Sequence, residues 1–189
     1  MFSHSRHNRS VARTVSLLIA STVLAAAAAQ ASETAHVPMV LTAYSNGAGG
    51  ETLLKGDYTQ AITEIKRYRP QEMVLTSAKA TNLCVAYTAS KQLTEAKAAC
   101  DEALKQAKYD RLSASRFALN TSHENGYVAI AYANRAVVHM LSRDAASAKA
   151  DLEKAKLLAP HADFVAKNAE AVAAKSPTTI AQVQISPSR

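Results

Sequence analysis

The sequence predicts an all-α protein made of antiparallel helical hairpins stacked side by side, and three observations predict it. Tryptophan is absent, aromatic residues make up 5% of 189 residues and alanine is abundant, a composition of closely packed helices rather than of a β-sandwich. Apolar residues recur at i, i+3, i+4 and i+7 in stretches divided by short polar or glycine breaks. The chain also matches itself at two offsets, 35 and 52 residues, as internally repeated folds do.

The elements follow in order. Arg6, Arg9 and Arg13 precede an apolar run from Val15 to Ala29, and Ala29-Gln30-Ala31 offers small residues to a signal peptidase. This layout predicts a cleaved secretory signal over residues 1–31. A run of 15 residues, mostly alanine, is short of the roughly 20 apolar residues that a spanning helix needs, so no membrane span is expected after cleavage. Cleavage leaves 158 residues, enough for one domain with its own core. It lowers the formal charge from +7 to +4, since three arginines and no acids depart. The remaining lysines alternate with acids and form no basic stripe, which argues against nucleic acid as a partner.

Residues 32–50 read as a polar leader, a short apolar run Met39–Tyr44 and a loop, because Ser45-Asn-Gly-Ala-Gly-Gly50 is too glycine-rich for a regular helix. Glu51 follows the glycines where a phosphate-binding loop would need Lys-Ser/Thr. Asp57 and Gln60 form a helix-start pair. Ala61, Ile62, Ile65 and Tyr68 then make a helical stripe that Arg69-Pro70 stops. Gln71–Ser90 reads as one helix, and after Ser90-Lys91-Gln92 a narrow alanine face runs from Ala96 to Ala107. Lys108–Gly126 is less regular and reads as an insertion with one helical turn near Ser113–Leu119. Tyr127–Leu141 and the segment carrying Ala148, Leu152, Ala155 and Leu158 form the next hairpin around Ser142-Arg143-Asp144. A more polar helix, His161–Lys175, follows Pro160, and the tail 176–189 is expected to be disordered.

The matches at 52 residues are Asn82, Tyr87, Ala96, Cys100 and Ala103 with Asn134, His139, Ala148, Leu152 and Ala155; at 35 residues, Ala61, Ile65 and Tyr68 meet Ala96, Cys100 and Ala103. Gly56-Asp57-Tyr58-x-x-Ala61, then Leu83-Cys84-x-x-Tyr87…Ala96…Cys100…Ala103, and finally Tyr132…Ala136…Ala148…Leu152…Ala155…Pro160 resemble the tetratricopeptide repeat (TPR). The resemblance covers about residues 51–175. It implies a short right-handed superhelix of hairpins with a truncated first copy and His161–Lys175 as a C-terminal capping helix. The chain is also similar to small exported tetratricopeptide proteins of Gram-negative bacteria, which implies a periplasmic location.

The family implies a concave groove that binds a protein or peptide, here with the candidates Thr81, Asn82, Val85, Thr88, Ala133, Asn134, Val137 and Met140. Asn82 and Asn134 match an asparagine that contacts peptide backbone or a terminal carboxylate in chaperone-binding members; the alternative is that both only satisfy local hydrogen bonds. The accompanying basic residues of that clamp are missing, so a carboxylate clamp is not expected. Cys84 and Cys100 stand at equal distances before and after Gln92, on facing arms of one hairpin; in an oxidising compartment they are expected to form a disulfide. His123, His139 and His161 are far apart in sequence, and His139, which replaces a core tyrosine, is expected to be packed rather than to bind metal. No serine sits in a nucleophile elbow and no pair of carboxylates is placed for acid–base work. The expected function is therefore a non-enzymatic protein- or peptide-binding scaffold without cofactor or metal. The alternative is a small-ligand or cell-wall-binding module that uses the groove and the 108–126 insertion.

Overall fold

The computed structural model describes residues 38–69, 76–117, 122–174 and 180–186. All belong to one compact unit, residues 33–189. The expected signal segment, 1–31, lies outside the described residues, as do Pro70–Leu75 and with them the expected start of a helix at Gln71.

Among the described residues the chain is predominantly helical, as expected of the all-α class. Its seven helices are α1 (Gly50–Leu54), α2 (Tyr58–Arg67), α3 (Thr76–Ala89), α4 (Leu93–Arg116), α5 (Ser122–Leu141), α6 (Ala145–Leu158) and α7 (Asp163–Ala173). Two strands, β1 (Met39–Tyr44) and β2 (Ile180–Ser186), pair in parallel, with Leu41 opposite Val183 and Ala43 opposite Ile185. No described helix is long and apolar enough to cross a membrane.

Three turns share one geometry and account for the self-similarity of the sequence. Gly56, Lys91 and Arg143 each take a left-handed backbone, with φ of 79°, 62° and 62°. The next residue in each case, Asp57, Gln92 or Asp144, donates its N–H five residues back, to Thr52, Tyr87 and His139 at 3.2, 2.9 and 2.8 Å. Such paired bonds satisfy carbonyls left over at a helix end. Lys91 follows Gly56, and Arg143 follows Lys91, at the same two offsets at which the sequence repeats. Asp57 and Asp144 then cap the following helices by accepting from Gln60 N–H and Ser147 N–H at 3.0 Å. Lys91 and Arg143 are not glycines, so their left-handed conformation costs on the order of 1 kcal/mol each.

One hairpin is also cross-linked. Cys84 on α3 and Cys100 on α4 form a disulfide with 4.7 Å between their Cα atoms, and both residues are fully buried. The next two helices are tied by charge. Arg135 on α5 grips Asp151 on α6 through Nε and Nη2 at 2.7 and 2.9 Å, and its Nη1 donates to Asp101 on α4 at 2.8 Å. Burial works to raise the Asp101 carboxyl, but hydrogen bonds from Arg135 and Lys97 outweigh it and hold it below the ordinary range.

Three expectations change. Within residues 32–50, Met39–Tyr44 is a fully buried strand and Gly50 opens α1. The described part of the expected insertion 108–126 is largely helical: α4 continues to Arg116 and α5 begins at Ser122, so those residues lengthen two packed helices. Buried Ala107 and Ala114 hold that end of α4 on its neighbours, and Gly126 stands inside α5. In the tail 176–189, Ile180–Ser186 is a strand, because β1 presents an edge for it to pair with.

Candidate functional site

The groove candidates Thr81, Asn82, Val85 and Thr88 lie on α3, and Ala133, Asn134, Val137 and Met140 on α5. All but Met140 are buried, and Met140 is partly so. The face is not open. β1 runs against α3, α5 and α7, and Met39, Leu41 and Ala43 join Val85 and Val137 in one apolar cluster.

The asparagines hold that strand by its main chain. Asn82 accepts from Tyr44 N–H at 2.7 Å and donates to Tyr44 C=O at 2.9 Å. Asn134 does the same for Thr42, at 2.8 and 2.7 Å. Asn168, on α7, does so for Val40, at 2.7 and 2.9 Å. Each side-chain amide thus completes both hydrogen bonds of one residue, as a neighbouring strand would. A carboxamide suits this task because it carries a donor and an acceptor side by side. The N–H and C=O of one residue in an extended strand point the same way and alternate from residue to residue. Hence Val40, Thr42 and Tyr44 face the asparagines, while Met39, Leu41 and Ala43 are left to face β2. All three asparagines have no exposed surface.

The loop after β1 makes this fit possible. Asn82 Nδ2 also donates to Ala48 C=O at 3.0 Å. A Cβ on Gly50 would run into the carbonyl oxygens of Tyr44 and Ser45. The glycine run read as a loop therefore has a specific duty: it turns the chain off the asparagine row and straight into α1.

Asn168 was not among the sequence candidates. It follows Asn134 by 34 residues, close to the 35-residue offset at which the sequence matches itself, so the signal was present. The helix α7, expected only as a cap, contributes a groove residue in the same way as α3 and α5.

Next to the last rung, polar groups stand without partners among the described residues. The Tyr44 ring meets Tyr127 edge-on at 5.4 Å, and its hydroxyl, like one carboxylate oxygen each of Asp110 and Glu124, is buried with no hydrogen-bond partner there. Burial, then the nearby Tyr127 and Asp110, push the Tyr44 phenol far above its ordinary range. His139 is largely buried between Asp144 and Asp151, at 3.7 and 3.6 Å. Among the described residues no group of three or more His, Cys, Asp or Glu side chains could hold a metal ion.

No family model matches the chain, and neither a curated protein nor a solved structure matches it.

Proposed function

We propose that this chain is an exported, periplasmic, non-enzymatic scaffold that binds extended protein or peptide segments in a tetratricopeptide-like array. The observation that carries the reading is the asparagine row: Asn82, Asn134 and Asn168, one per hairpin step, bind the main chain of β1 at every second residue. Recognition of this kind supplies affinity through the backbone and leaves specificity to alternate side chains. The repeated turn at Gly56, Lys91 and Arg143 supports the array, as does the recurrence of an asparagine on α3, α5 and α7. The apolar run after three arginines and the Cys84–Cys100 bridge support export.

In this reading β1 is the occupant supplied in cis, and a partner segment exchanges with it bond for bond. The chemistry selects the partner: an extended stretch with apolar residues to replace Met39, Leu41 and Ala43. A tethered strand acts at an effective concentration of about millimolar, so a partner competes only when it is displayed locally or packs better.

The test is complementation. A chain that begins at Gly47 is mixed with a peptide covering residues 38–46, and binding is followed by calorimetry. The reading predicts saturable binding that Asn82→Ala and Asn134→Ala each weaken at least tenfold. It also predicts that an unrelated extended peptide with apolar residues at the same alternate positions competes. If the matched peptide binds and the unrelated one never competes, the groove is a structural seat for β1 alone and the scaffold reading fails.

A further inference from the structure

The described surface carries five exposed large apolar side chains: Leu54, Tyr109, Leu112, Phe117 and Leu157. Three of them cluster at the C-terminal end of α4. There, Lys105, Lys108, Tyr109, Leu112 and Arg116 follow one another at i, i+3, i+4, i+7 and i+11, which places them on one helix face. All five are exposed. Phe117, the cap residue of α4, is 76% exposed beside them. The stripe holds three cations and no acid. Of the carboxylates nearby, Glu102 touches Lys105 at 3.4 Å and also pairs with Gln106, Asp101 is held by Arg135 and Lys97, and the half-buried Asp110, next to Tyr109 on α4, lies near Tyr44. Lys108 lies 5.2 Å over the Tyr132 ring, which Arg135 and Lys154 also approach, at 5.7 and 5.4 Å. Arg135 and Lys154 are matched there by Asp101 and Asp151, so the charge offered to a partner is that of the exposed stripe. Between α4 and Arg135, Lys105, Lys108, Tyr109 and Leu112 line a shallow cleft of about 500 Å³ together with Asp101 and Leu104.

We infer that this end of α4 is a docking surface for an anionic lipid bilayer. Tyr109, Leu112 and Phe117 enter the headgroup region while Lys105, Lys108 and Arg116 meet the lipid phosphates. An exposed helix face with a basic rim and large apolar tips has the chemistry of an interfacial segment. Tyr109 and Leu112 line the cleft yet stay 64% and 55% exposed, and Phe117 stands outside it at 76%, so the large apolar groups project outward, which suits a deformable surface better than a shaped protein partner. Long basic side chains extend their heads to the headgroup level while their stems stay against apolar surface. Such docking would hold the peptide-binding face at the membrane, yet it uses none of the residues that bind β1.

The test uses residues 33–189, the compact unit, so that the apolar N-terminal run plays no part. Partition onto vesicles of phosphatidylglycerol and phosphatidylcholine is measured by co-sedimentation. Binding is expected at low salt, falling more than tenfold as salt is raised and screening sets in, with little binding to phosphatidylcholine alone. Lys105→Gln with Lys108→Gln lowers the partition coefficient roughly thirty-fold, and Leu112→Ser with Phe117→Ser lowers it at least tenfold. These side chains are exposed, so an unchanged circular dichroism spectrum and melting point confirm that the fold persists. Absence of binding to anionic vesicles overturns the inference, as does binding that both double variants retain. Capture of polyglutamate without capture of vesicles overturns it too and assigns the face to an acidic polypeptide.

Discussion

Replacing Asn134 by alanine tests how the fold holds its innermost strand. The side chain is fully buried and makes two hydrogen bonds, from Thr42 N–H at 2.8 Å and to Thr42 C=O at 2.7 Å. Thr42 is itself 3% exposed, so neither of its main-chain groups can turn to bulk water. Leaving a buried donor or acceptor unpaired costs about 1–3 kcal/mol, which for two groups gives roughly 2–6 kcal/mol. A water entering the space of the lost amide recovers part of this, so the lower half of the range, about 2–4 kcal/mol, is expected. The assay is equilibrium urea unfolding of the oxidised protein, with exposed Lys149→Ala as a control expected within about 0.5 kcal/mol of wild type. Asn134→Asp keeps the acceptor but sets a carboxylate oxygen against the Thr42 carbonyl, and it is expected to be at least as costly as alanine. A loss below about 1 kcal/mol for Asn134→Ala would refute the reasoning, because it would mean that Thr42 pairs equally well without the asparagine.

Other outcomes follow from the same structure. Reducing the Cys84–Cys100 bridge, or replacing both cysteines by serine, is expected to cost about 3 kcal/mol for a loop of this size, a fall in Tm of roughly 6–12 °C by calorimetry. Gly50→Ala drives a methyl group into the Tyr44 and Ser45 carbonyls and is expected to destabilise by about 1–3 kcal/mol in urea unfolding. Tyr44→Phe removes a buried hydroxyl that has no partner among the described residues, so at neutral pH it is expected to leave stability unchanged or to raise it by up to about 1 kcal/mol. Its pH dependence separates it further. The folded-state pKa of Tyr44 is raised, so the unfolded chain gives up the phenol proton first, and stability declines as pH rises above about 10. The phenylalanine variant is expected to show a shallower decline over that window.

The hairpins were legible because their turns are local. Gly56-Asp57, Lys91-Gln92 and Arg143-Asp144 end one helix and start the next with groups a few positions apart, and this recurs in the sequence as its two self-matching offsets. The disulfide was legible for the same reason, since a short turn sets Cys84 and Cys100 at one height. Asn82 and Asn134 stood out by repetition; in the structure the backbone they hold is that of the chain's own β1. The strand was not legible. Met39–Tyr44 is short, and its partners Asn82, Asn134 and Asn168 stand 38, 92 and 128 residues away from the residues they hold. No local pattern encodes such distances. β2 was hidden likewise, because a tail reads as a strand only once β1 offers it an edge. The lengths of α4 and α5 were missed because serine, aspartate and asparagine weigh against helix locally, whereas burial of Ala107 and Ala114 decides the matter in three dimensions.

The central claim is that one asparagine per step pairs with one residue of β1, and amide hydrogen exchange measures this residue by residue. In the wild-type protein the N–H groups of Val40, Thr42 and Tyr44 are predicted to exchange only on global unfolding. In Asn134→Ala the Thr42 amide is predicted to lose protection well beyond the loss in global stability, while Val40 and Tyr44 follow the global value. If Thr42 instead keeps pace with its neighbours in the variant, the asparagines do not hold the strand one by one, and the account of the groove is wrong.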